Sequence, residues 1–261
     1  MSSTTPLDFT PRPKAAPVVR RVLAQAGLEL RLLLRNGEQL LLTLVIPVLL
    51  LVGFSIVPIL DAGTASRVDF LAPGVLALAT MSTAFTGQAI STGFERRYGV
   101  LKRLGATPLT RLGLLAAKTL AVLVIQLLQA VLISTVAFLL GWSPQGGAVG
   151  VLSVVLLMVL ATAAFSALAL LMAGTLRAEA TLAAANLVYV ILLGLGGVVF
   201  PVDLFPPALL PFVEALPITA LSTGLRTVLA EGAAMPLGPV LVLLAWSVVG
   251  AALAGRFFRW E

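Results

Sequence analysis

Six stretches of this sequence are apolar for so long that each must either cross a lipid bilayer or be buried in something equally dry: 39–60, 71–93, 112–140, 148–176, 181–200 and 237–257. About 20 consecutive apolar residues span the roughly 30 Å hydrocarbon core of a bilayer as a helix. Backbone N–H and C=O groups in lipid must be satisfied within the protein, so a spanning segment is a helix or part of a closed barrel. These runs are continuously apolar and do not alternate with period two, which argues against a barrel. The chain is 59% hydrophobic and 11% charged over 261 residues, whereas soluble domains carry about 25% charge. The expected fold is an all-α membrane protein with six transmembrane helices.

Orientation follows from the basic residues. With both termini placed in the cytosol, all Lys and Arg residues except Arg67 and Arg226 fall on the cytosolic side. Lys and Arg near span ends mark the cytoplasmic face, so a multi-pass cell-membrane protein with both termini cytoplasmic is expected. The net charge of +6 belongs to span ends facing membrane lipid headgroups, and no nucleic-acid partner is expected. Residues 1–17 carry Pro6, Pro11, Pro13 and Pro17, lack the apolar stretch of a signal peptide, and read as a disordered cytosolic tail. Residues 18–38 differ. Val19, Val22, Leu23, Ala26, Leu30, Leu33 and Leu34 share one helical face, and Arg20, Arg31 and Arg35 share the other. Such a helix lies in the headgroup plane; the alternative is a cytosolic helix packed on a partner.

Between the second and third runs lies a polar segment, 94–111. Set on a helix, Phe94, Tyr98, Leu101 and Leu104 fall on one arc; Glu95, Arg96, Lys102 and Arg103 fall on the other, and Arg97 sits at the edge. Pro108 cannot continue a helix and disfavours helix at Thr107. The segment therefore reads as one amphipathic helix of about three to four turns. Positive-inside charge alone would explain the arginines. It does not explain the apolar arc or the Thr107–Pro108 stop, which suit a handle gripped by a soluble partner.

The second run is rich in hydroxyls, from Thr80 to Thr92, and is expected to be buried among helices or to line a pathway. Gln88, Gln126, Gln129 and Asn186 are polar points within spans. They either touch a transported molecule or bond between helices. Lys118, near the start of the third run, is expected to snorkel to the headgroups. No carboxylate or arginine stands inside a span as drawn, which argues against a self-powered pump. The sequence has no Cys or His, so catalytic thiol or imidazole chemistry and the commonest metal ligands are missing; no catalytic residue and no metal is expected. The closest approach to a phosphate-binding loop, Gly113 to Thr119, is one residue short and lacks the second glycine. Residues 201–235 hold five prolines and apolar pieces too short to span, which read as a re-entrant hairpin on the outer face.

At this point the chain resembles the permease subunits of ABC-2 type exporters, the group that includes daunorubicin-resistance-like drug efflux permeases. The most specific part is Glu95-Arg96-Arg97-Tyr98-Gly99-Val100-Leu101-Lys102-Arg103-Leu104, followed by Ala106-Thr107-Pro108-Leu109. The family often has Glu where Arg97 and Lys102 stand. The resemblance implies a cytosolic ABC ATPase subunit docked on this segment and on the N-terminal helix. ATP and Mg would bind on that partner, with no cofactor on this chain. It also implies a second permease, identical or homologous, and export of drugs, lipids or other amphipathic molecules, with consequences for antibiotic resistance. Two other readings stand beside it: a transporter or flippase that works without an ATPase, and a non-transporting scaffold for a cytosolic protein.

Overall fold

The computed structural model describes residues 15–56, 67–198 and 202–260, with side chains omitted at Glu38, Leu42 and Asp203. The expected tail at 1–14 and the end of the first run at 57–60 lie outside the described residues. Most of the described residues are helical. α1 (Val18–Arg35) leads into α2 (Gly37–Ile56), then α3 (Arg67–Met81), α4 (Gln88–Arg97), α5 (Val100–Gly105) and α6 (Arg111–Leu139). α7 (Gly147–Thr175), α8 (Ala178–Leu195), α9 (Leu210–Glu214), α10 (Pro217–Leu229) and α11 (Leu237–Phe257) complete the chain. Six of the continuous helices are long and apolar enough to cross a membrane.

α3 and α4 form one of the six, because a π-helical turn over Ser82–Gly87 joins them into a continuous rod from Arg67 to Arg97. This is the hydroxyl-rich run, and it stands at the centre. α2, α6, α7 and α10 pack on its first half; α7 and α8 pack on its second. The small and hydroxyl side chains allow that close approach. Thr80, Thr83, Gln88 and Thr92 are all buried. Around this rod α11 lies along α7, and α1 lies along α6. α2, α8 and α11 keep most of their surface exposed, as expected of helices whose solvent is lipid.

The fifth helix begins at Ala178, earlier than the apolar run suggests, since Glu179 favours a helix N-terminus. It stops at Leu195 because Gly197 takes a left-handed backbone, φ 64°. Gly196 is a point of close packing: a Cβ there would come within 2.6 Å of Ile218 on α10. Residues 202–235 form a 3₁₀ turn, the short α9 and the buried α10. Arg226 of α10 lies over the Phe70 ring at 3.9 Å and donates to the carbonyls of Gly197 and Val198 at the end of α8. Those bonds satisfy a half-buried cation with backbone dipoles in place of a carboxylate.

Candidate functional site

The 94–111 segment is not one helix. α4 ends at Arg97, Gly99 turns left-handed with φ 73°, and α5 restarts at Val100. The Tyr98 and Gly99 amides close the end of α4 on the carbonyls of Phe94 and Arg96. A glycine after a helix adopts this conformation at little cost, and it overrode the amphipathic periodicity. The expected stop is there. The Thr107 hydroxyl donates to the Leu104 carbonyl at 2.6 Å, and Thr110 caps α6 by accepting from the Gly113 amide at 3.0 Å.

The new helix is seated firmly. Leu101 has no exposed surface and belongs to a cluster with Leu114 and Leu115 of α6, Ala167 and Leu170 of α7, and Phe258 after α11. Leu104, Leu109 and Trp260 pack against it. The arginines tie down neighbouring helix ends. Arg96 donates to the Ala173 and Leu176 carbonyls at the end of α7, at 3.0 and 3.1 Å. Arg97 pairs with Glu179 in the first turn of α8. Arg111 donates to the Gly255 and Arg256 carbonyls at the end of α11. Cations at helix C-termini meet unpaired carbonyls and the negative end of the dipole. Arg21 of α1 donates to the Pro108 carbonyl.

Beneath this seat lies a buried ion cluster. Lys118 Nζ sits 2.9 Å from a carboxylate oxygen of Glu29 on α1 and 2.9 Å from one of Glu95 on α4. Its side chain is 4% exposed, Glu29's 9% and Glu95's 21%. The Gln25 amide donates to Glu29's other oxygen at 2.8 Å. Lys118 therefore does not snorkel to the headgroups. It turns inward because two carboxylates await it, and desolvating three charges is tolerable only when they are paired and hydrogen-bonded. Glu95 faces this cluster and is not presented outward.

What remains on the surface of the segment is Tyr98, 71% exposed, with Val100, Arg103, Thr107 and Pro108. Lys102 is exposed too and has an interaction partner. On α1, Arg20, Arg31 and Arg35 are exposed, together with the apolar Val19, Leu23 and Leu28. The result is a ridge tied to the ends of α1, α4, α6, α7, α8 and α11, with one aromatic and basic face turned outward.

The profile of the ABC-2 type transporter family matches residues 22–230. The chain belongs to this family. No curated protein matches its sequence. As an ABC-2 permease component, it has its tied ridge and ion cluster where its second span meets its third.

The permease's span glutamines bond between helices. Gln126 accepts from Thr162 of α7 and donates to the Thr80 carbonyl at 3.3 Å. Gln129 accepts from Thr83 and donates to the Thr43 carbonyl of α2, at 3.1 and 2.9 Å. Gln88 accepts from Ser166 at 2.9 Å. Asn186 differs: it is exposed on α8 and lines a cavity of about 240 Å³ with Thr43, Pro47, Ser82, Thr86 and Tyr189. The π turn brings Ser82 and Thr86 to that cavity, and the Thr86 hydroxyl is buried there without a partner among the described residues. π turns inside α-helices occur often at functional sites.

Sequence reasoning missed Glu29. The signal was present: Val22, Ala26, Glu29 and Leu33 follow the 4-3-4 spacing of a single helical stripe, so this carboxylate sits in the middle of the apolar face.

Proposed function

We propose that the chain is the membrane half of an ATP-driven exporter of drugs, lipids or other amphipathic molecules, with ATP hydrolysed by a separate cytosolic ABC subunit. The ridge at 94–111 is the observation that carries this reading. Its outward face, Tyr98, Val100, Arg103, Thr107 and Pro108, is what the ATPase grips, together with the exposed arginines of α1. Its inward face is fixed to the ends of six helices, so a push on α5 cannot be absorbed locally. Closure of the ATPase around nucleotide tilts the spans, and the Glu29–Lys118–Glu95 cluster keeps α1, α4 and α6 moving as one body. The termini and the ridge lie in the cytosol of the cell that makes the protein, and the 202–235 helices lie outside.

A second permease covers α2 and α8, whose surfaces are mostly apolar and exposed. The cavity beside Asn186, Thr86 and Tyr189 then opens onto the passage between the two copies. Co-expression with an ABC ATPase subunit tests the docking. Wild type co-purifies with the ATPase, and Tyr98→Ala/Arg103→Glu does not while remaining monodisperse. Equal recovery of the ATPase with both would refute the docking face.

A further inference from the structure

Where the third span begins and the last one ends, an open groove of about 660 Å³ runs between α6 and α11. Arg111 and Arg256 line it, beside Leu109, Leu112, Ala252 and Trp260. α6 starts at Arg111 and α11 ends at Phe257, both long and apolar enough to cross a membrane, so the groove lies at the depth of the lipid headgroups. Its floor is tight: a Cβ on Gly255 would stand 3.3 Å from Leu112. Leu112 and Ala252 are both exposed, so the groove opens sideways toward lipid.

The two cations of this groove have no anion to balance them among the described residues. Arg111 is half-buried and fixed in place, because its Nη1 donates to the Gly255 and Arg256 carbonyls at 3.3 and 3.1 Å. Its other guanidinium N–H groups are neither bonded nor buried among the described residues. Arg256 is exposed, with its guanidinium 5.8 Å from the centre of the Phe257 ring. No carboxylate lines the groove among the described residues. The acids described at this end of the bundle are committed elsewhere: Glu29 and Glu95 to Lys118, and Glu179 to Arg97. Carbonyl dipoles orient Arg111 but carry no net charge. Two like charges held on adjoining helix ends favour a shared anion, and the guanidinium fork matches the geometry of phosphate.

We infer that this groove binds an anionic glycerophospholipid, with the phosphodiester between Arg111 and Arg256 and the acyl chains running along Leu112 and Ala252. Basic side chains at the membrane surface attract anionic lipid. The apolar wall begins directly beside the charges, which suits a headgroup that carries chains and not a free phosphate. Trp260 is half-buried in the same groove, and indoles favour this depth, between hydrocarbon and polar groups. The volume lies within the roughly 300–1,000 Å³ of ligand sites. The inference depends on neither an ATPase partner nor a cargo.

The test uses Trp260 fluorescence. The chain has three tryptophans, and Trp142→Phe/Trp246→Phe leaves Trp260 alone. The full chain is reconstituted in dioleoylphosphatidylcholine mixed with phosphatidylglycerol or phosphatidylcholine brominated near the ester end of its chains. Quenching against lipid composition gives each lipid's relative binding constant at Trp260. Phosphatidylglycerol is expected to bind at least about fivefold better, the worth of one basic residue beside anionic lipid. Arg111→Gln/Arg256→Gln is expected to abolish that preference. Arg177→Gln, which removes an exposed arginine at the same end of the bundle but outside the groove, is expected to leave it unchanged. Inorganic phosphate at matched ionic strength is expected not to relieve the quenching. Equal constants for the two lipids would overturn the inference, as would a preference that survives the double replacement or falls equally in Arg177→Gln. Relief by inorganic phosphate would assign the groove to a soluble anion and overturn it too. If the altered proteins do not fold, native mass spectrometry of the detergent-purified chain decides: wild type retains more phosphatidylglycerol than Arg256→Gln, and equal retention overturns the inference.

Discussion

Replacing Lys118 by Met removes the ammonium between Glu29 and Glu95 and leaves two carboxylates facing each other in a buried site. Both Lys118 contacts are 2.9 Å, and the three side chains are 4%, 9% and 21% exposed. Removing one partner of a buried pair costs about 3–5 kcal/mol, because the other charge stays buried and unpaired. Glu95 is the most exposed of the three and regains some water, so the low end applies, about 3 kcal/mol. At about 2–4 °C per kcal/mol for a chain of this size, the midpoint of thermal unfolding falls by roughly 6–12 °C. The assay is the loss of monodisperse protein on heating in detergent. A neutral variant, Glu29→Gln/Lys118→Met/Glu95→Gln, removes the charges together and is expected to recover more than half of the loss, since burying neutral groups carries no ion-desolvation cost. A fall below ~2 °C for Lys118→Met would refute the reasoning. So would a neutral variant as labile as the single one, which would assign the effect to packing rather than charge.

Leu101→Ala empties a fully buried site and is expected to lower stability by about 2–5 kcal/mol. Tyr98→Ala, on the exposed face, stays within about 0.5 kcal/mol of wild type; thermal unfolding of both variants checks the contrast. Gly99→Ala forces a side chain onto a φ of 73° and is expected to cost about 1 kcal/mol, read the same way. Cysteines placed at Ser143 and Thr110 in this cysteine-free chain label from opposite faces of sealed cells, Ser143 from outside. Labelling of both from one side would contradict the six-span arrangement.

The six spans were legible because lipid imposes a long apolar run on any helix that crosses it, and nothing else in this sequence resembles one. The Thr107–Pro108 stop was legible for an equally local reason, a missing N–H and a ring clash. The split of the ridge at Gly99 was not anticipated. Side chains at Tyr98, Leu101 and Leu104 keep helical spacing on either side of it, and periodicity does not register a single left-handed residue. The inward turn of Lys118 depends on Glu29, 89 residues away along the chain, and on Glu95. A lysine near a span end reads as snorkelling until its long-range partners are known. The same limit holds for Arg96, Arg97 and Arg111. Their charge was plain, but their partners are helix ends brought close only by folding. The span glutamines were ambiguous because hydrogen bonding between helices and solvation of a cargo call for the same amide group.

The most direct measurement is transport by proteoliposomes containing this chain alone or with the proposed ABC ATPase subunit, using an intrinsically fluorescent anthracycline as a test cargo. The account predicts accumulation against a gradient only when ATPase subunit, ATP and Mg are all present. Uphill accumulation by the chain alone would contradict it.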